Sequence, residues 1–287
     1  MRSGVLLCLG VLWLIGCAQD FSRPDTLPYT AGGPDGPALF EQSFAAHGGE
    51  QMMALRNLNV GMDGKWRFLI KRIQPLVTDY SYRVVSQERI LPNEKVYTAL
   101  YEGPGGTKKV VRGPDLVRVF YNNVESFDDD VLQSTALTAD AFFVFSLGPL
   151  ALRDASADFV RLADVDFEGK RYQRIYAVLE PGFGYAERDE IVLWLDPETH
   201  LTKRVVITLE GFEKTQGAHV DVEFLAFTRR DGFVLPSRFH ERVLAPIKIH
   251  AHAWHLTGLD INRDYGIKAI NSSGYARGAE PAASALN

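Results

Sequence analysis

From His219 to Ala226 the chain alternates: Val220, Val222, Phe224 and Ala226 are apolar, while His219, Asp221 and Glu223 between them are polar. A period of two sends successive side chains to opposite faces of a strand, so this stretch must bury one face in a sheet. Similar runs occur at residues 58–69, 79–91, 95–101, 108–112, 116–121, 159–167, 172–179, 191–195, 203–209, 234–244 and 248–257. The links between them are short turn signals: Gly113-Pro114-Asp115, Glu168-Gly169-Lys170, Asp196-Pro197-Glu198-Thr199 and Asp231-Gly232. Links this short join antiparallel neighbours. The pattern predicts a mainly antiparallel sheet of about eleven strands, too many to stay flat, which should curl into a barrel or half-barrel.

Two helices interrupt the strands. The first is expected over residues 38–47, pausing at Gly48-Gly49 and continuing over 51–56. The second is expected over 135–147 and ended by Gly148-Pro149. Its centre, Ala141-Phe142-Phe143-Val144-Phe145, is apolar on every side, so it must lie against apolar surface nearly all round. A helix inside the concavity of a curled sheet meets that condition, and Phe142, Phe143, Phe145 and Leu147 then become candidate ligand-lining residues. Trp194, Phe224 and Trp254, on the strands, are candidates for the same lining. A helix simply sunk in the core is the alternative.

The chain begins with a basic residue, Arg2, and an apolar stretch from Val5 to Ile15. A membrane span needs about 20 apolar residues, and a stretch of roughly 10 to 14 fits the core of an export signal. The signal is expected to occupy residues 1–16. Its end, Leu14-Ile15-Gly16-Cys17, resembles the bacterial lipobox, which implies cleavage before Cys17 and acylation of that cysteine. The resemblance implies a lipid anchor, and Ala18 in place of an aspartate implies sorting to the outer membrane with the domain in the periplasm. Cys8 leaves with the signal, so no disulfide can form, and about 270 residues bury a sizeable core without one. Residues 17–37 are rich in proline and glycine and read as a flexible tether, 38–270 as a single domain, and 271–287 as a disordered tail.

The formal net charge is −5, and loss of Arg2 makes it −6, which argues against a nucleic-acid partner. Of the seven histidines, His250, His252 and His255 cluster. On a regular strand His250 and His252 share a face, a weak metal-site alternative to plain strand surface. Asp128-Asp129-Asp130 lacks the spaced ligands of a calcium loop and reads as a solvated turn. Gly103-Pro104-Gly105-Gly106 lacks a phosphate loop's Gly-Lys-Ser/Thr ending and reads as a hairpin loop. Pro181-Gly182-Phe183-Gly184-Tyr185 offers two aromatics on a loop that reads as a binding-cleft lip or as plain surface. Neither a Gly-x-Ser-x-Gly elbow nor a His-Glu-x-x-His pair occurs, and no cofactor is expected.

The lipobox, the tether, the N-terminal helix, the curling sheet and the mid-chain apolar helix together resemble the LolA/LolB/LppX-like superfamily of lipoprotein-localisation carriers and receptors. Trp194-Leu195-Asp196-Pro197-Glu198-Thr199-His200-Leu201 and Asp231-Gly232-Phe233-Val234-Leu235-Pro236 carry the local likeness. The resemblance implies a half-barrel with a helical lid whose concave face holds acyl chains. The expected function is non-enzymatic binding or carriage of an acyl chain, lipid or lipoprotein. An envelope scaffold that binds another protein is the alternative, and a metal-dependent enzyme built on the late histidines is a third reading.

Overall fold

The structure is a computed structural model that describes residues 18–30, 32–153, 158–263, 265 and 279–280. Its centre is one antiparallel sheet of 13 strands made of two meanders. The first comprises β1 (Leu58–Trp66), β2 (Val85–Leu91), β3 (Val96–Gly103), β4 (Gly106–Gly113), β5 (Leu116–Tyr121) and β6 (Val124–Ser126). The second comprises β7 (Val160–Phe167), β8 (Lys170–Leu179), β9 (Asp189–Leu195), β10 (Thr202–Thr208), β11 (His219–Arg230), β12 (Phe233–Ala245) and β13 (Ile249–Ile261). The meanders join where β1 pairs with β13, from Leu58 opposite Ile261 to Trp66 opposite His252, which leaves β6 and β7 as edges. The sheet is therefore open, as expected, with 13 strands where about eleven were expected.

The helices are α1 (Gly36–Ala46), α2 (Glu50–Met53), α3 (Phe68–Ile73), α4 (Pro75–Thr78), α5 (Asp129–Leu147) and α6 (Pro149–Arg153). The chain leaves edge strand β6, runs through α5 and α6, and returns at edge strand β7. This connection explains the apolar character of α5: from Ser134 onward no residue of it is exposed. The acidic run that reads as a turn is the start of this helix. Asp128 caps it, accepting from Val131 N at 3.0 Å, and Asp129 and Asp130 lie in the first turn, where the helix dipole favours negative charge. Gly148, at φ 56°, ends it.

A second departure lies after β1, where residues 67–69 were expected to continue the strand. The apolar positions Trp66, Ile70 and Ile73 follow helical spacing, and α3 folds back so that Trp66 and Ile70 pack on Ala251, Val243 and Ile249.

Both faces of the second meander are apolar. On the concave face Ile191, Leu193 and Leu195 join the main core, while Val192 and Trp194 project to the convex face with Phe21, Leu162, Tyr172, Tyr176, Val206 and Leu244. The expected tether supplies part of that cover. Gln19 N donates to Leu244 O at 3.1 Å, Pro28 bridges to Leu162, and Arg23 grips Glu190 with Nε and Nη2. The described part of the segment is therefore laid on the sheet, because a convex face carrying Trp194 and Tyr176 needs burial. Within the expected tail, Ala279 N donates to Gln87 Oε1 at 2.9 Å and Leu259 N donates to Glu280 O at 2.7 Å. Residues 1–17, with the expected signal and Cys17, lie outside the described residues.

Candidate functional site

The lid does not fill the concavity evenly. Phe142 and Phe145 turn into it and meet Trp254 at 5.3 and 6.2 Å; Trp254 stacks on Phe239 at 4.8 Å, and Phe239 meets Phe224 edge-on at 5.5 Å. Side chains close this middle zone. Between α2, α5 and α6 and the loops after β2, β4 and β8 lies a cavity of about 410 Å³. Phe143, Val144, Leu147, Leu150 and Leu152 form its lid side, Met52 and Leu55 one wall, and Tyr97, Leu179 and Phe183 the opposing side.

Of the expected lining residues, Phe143 and Leu147 face this cavity, whereas Phe142, Phe145, Phe224 and Trp254 belong to the aromatic core. Trp194 lies on the convex face, beside Phe167 and under the Arg204 guanidinium. In the run Ile-Val-Leu-Trp-Leu of β9 both faces are apolar, so alternation alone does not tell inside from outside. Phe183, expected to be exposed, is 3% accessible, while Tyr185 is 58% accessible.

The rim carries an ion pair that sequence reading missed. Arg112 donates from Nε and Nη2 to the two carboxylate oxygens of Asp140, both at 2.9 Å. Asp140 also accepts from Gly184 N at 2.7 Å, and Arg112 donates to Gly113 O and Gly184 O. This cluster ties the lid helix to the β4–β5 hairpin and to the loop after β8. Burial pushes the Asp140 carboxyl above its ordinary range, and the bonds from Arg112 and Gly184 pull the other way. The signal lay in the alternation of β4, where Lys108, Val110 and Arg112 share a face.

Deeper in the concavity, near the end of β1, Arg83 is buried among aromatic rings, 5.0 Å from Phe142, 5.1 Å from Tyr101 and 5.2 Å from Trp66. It donates to Val77 O at 2.7 Å. Around it, burial raises the Glu88 carboxyl and pushes Glu241 up to about 7, while it holds the His252 imidazole well below its ordinary value. His252 is thereby a neutral ring, stacked between Trp66 at 3.8 Å and Trp254 at 4.7 Å.

His250 does not join it. The β12–β13 register pairs Glu241 with His252 but Arg242 with His250, so Ala251 is an extra residue that reverses the alternation. His250 faces the other way and meets His240, Nδ1 to Nε2 at 2.9 Å. The expectation that His250 and His252 share a face fails at this bulge. Among the described residues no three histidines, cysteines or carboxylates converge as a metal site.

Comparison of the sequence with family models and with curated proteins finds no match. Solved structures do match. A LolA superfamily protein from Nitrosomonas europaea superposes with a TM-score of 0.51 at 8% identity, over 84% of this chain and 99% of that one. A DUF1329 family protein from Desulfovibrio piger gives a TM-score of 0.50 at 12% identity, over 83% and 98%. The chain has the fold of the LolA superfamily, an open antiparallel half-barrel with helices across its mouth.

Proposed function

We propose that this protein is a non-enzymatic binder or carrier of an acyl chain or similar apolar ligand, lipid-anchored through Cys17 on the periplasmic side of a bacterial outer membrane. The cavity under the lid carries this reading. Its volume of about 410 Å³ falls in the range of small-molecule sites, and its lining is more apolar than polar, with Lys95, Asp115 and Glu180 beside the Arg112–Asp140 pair. The neighbouring fold type supports the reading at the level of architecture only.

Native mass spectrometry of gently purified protein tests the cavity. The wild-type chain is expected to retain lipid. Phe143→Asp, which sets a charge on the cavity wall, is expected to stay folded and lose it, because an unpaired buried charge opposes an apolar ligand. A folded wild-type protein that carries no lipid and takes up no added fatty acid would sink the reading in favour of an envelope scaffold. The anchor is tested separately by fatty-acid labelling: Cys17→Ser should abolish incorporation, and label retained on the variant overturns it.

A further inference from the structure

The end of β1 leads into a surface that ligand binding does not use. From Gly64 to Thr78 the sequence holds Lys65, Arg67, Lys71 and Arg72 and no carboxylate, in a chain whose net charge is −5. None of these four makes an ion pair among the described residues. Among them the short helix α3 presents apolar side chains to solvent: Phe68 is 69% exposed, Leu69 47% and Ile73 47%. Beside α3, whose Arg67 N donates to Ala251 O at 2.9 Å, the β12–β13 turn adds Ile247, 52% exposed, and Lys248. Large apolar side chains held in water within a basic surround fit a bilayer interface: the apolar groups reach the acyl boundary while the cations meet anionic headgroups.

A second observation points the same way. Gln19 is fixed to Leu244 O, two residues before that turn begins. In the sequence Gln19 comes two residues after Cys17, the anchor position on the lipoprotein reading above. The start of the described chain and the patch thus share one end of β12 and β13.

We infer that α3 and the β12–β13 turn form a docking surface for anionic phospholipid bilayers.

The test is flotation of the chain from Ala18 onward with phosphatidylglycerol-containing vesicles and with pure phosphatidylcholine vesicles. This chain keeps every described contact and lacks the lipidated cysteine, so the patch is read independently of the anchor and of the cavity. Binding is expected to the anionic vesicles only, and to weaken with salt. Lys71→Glu/Arg72→Glu and Phe68→Ser/Leu69→Ser should each weaken it roughly tenfold, since each reversed cation near a charged surface counts for severalfold. Circular dichroism checks that these exposed substitutions leave the fold intact. Val124→Ser/Phe127→Ser, at an equally exposed apolar pair set among carboxylates, should bind as wild type. Absence of binding to anionic vesicles, unchanged binding by the charge-reversed variant, or equal loss in the Val124/Phe127 variant would each overturn the inference.

Discussion

At the scale of single residues, His47 does more than its place at the end of α1 suggests. Its Nδ1 lies 2.8 Å from Val234 O, which can only accept, so Nδ1 carries the proton and Nε2 accepts from Thr202 N at 3.1 Å. One buried neutral imidazole therefore ties Thr202, just after the Trp194–Leu201 motif, to Val234, inside the Asp231–Pro236 motif. Burial lowers its pKa to about 4, below the ordinary value of 6.5. A base with a depressed folded pKa contributes stability that is present above its unfolded pKa and lost as pH falls through the folded one. Between pH 7 and pH 5 this residue alone should cost about 2 kcal/mol. Urea unfolding at both pH values should show that loss in wild type and a flatter dependence in His47→Gln; equal slopes would refute the assignment. The hairpin motifs were readable because turns are local. Their clamp was not, since its contacts span 155 and 187 residues.

At the scale of elements, α5 was legible as a helix and as a buried one, because Phe142 to Phe145 leave no polar stripe. Which of its faces borders space was not legible: helical spacing fans the three phenylalanines over most of the circumference, and only their partners on β12 and β13 separate Phe143 from Phe142 and Phe145. The late histidines erred for a related reason, since strand alternation holds only until a bulge such as the one at Ala251. The Arg112–Asp140 pair gives the lid its attachment at the rim. Asp140→Asn keeps the shape but removes the charge that answers Arg112, so it should cost about 2 kcal/mol, the expense of leaving a buried donor poorly met. Hydrogen exchange should then rise at residues 135–145 and in the loop around Gly184, with β11 to β13 unchanged. Uniform loss of protection over the whole sheet would show instead that the pair serves global stability and not the lid.

At the scale of the whole molecule, the period-two pattern and the short turns were enough to anticipate a curled antiparallel sheet, and the family resemblance its openness, while the treatment of its convex face was hidden. The segment after Cys17 reads as a tether because Pro24, Pro28, Pro34 and Pro37 exclude helix and regular strand. Proline does not prevent a segment from lying along a sheet, and the convex cluster around Trp194 and Tyr176 provides the reason for it to do so. Phe21, 6% exposed, sits against His219 at 5.5 Å, and the Arg23–Glu190 pair holds the next turn of chain. On the proposed lipid anchor this docking would give the chain a fixed exit in place of a loose string, which matters for any function that depends on which end of the half-barrel meets the bilayer. Phe21→Ala should lower stability by about 3 kcal/mol if the ring is as buried as a core phenylalanine. More specifically, it should open the Tyr29-Thr30 peptide bond to chymotrypsin at doses that leave the strands uncut. Wild-type protein cleaved there as fast as the variant would show that the segment is loose, and the fixed exit would fall with it.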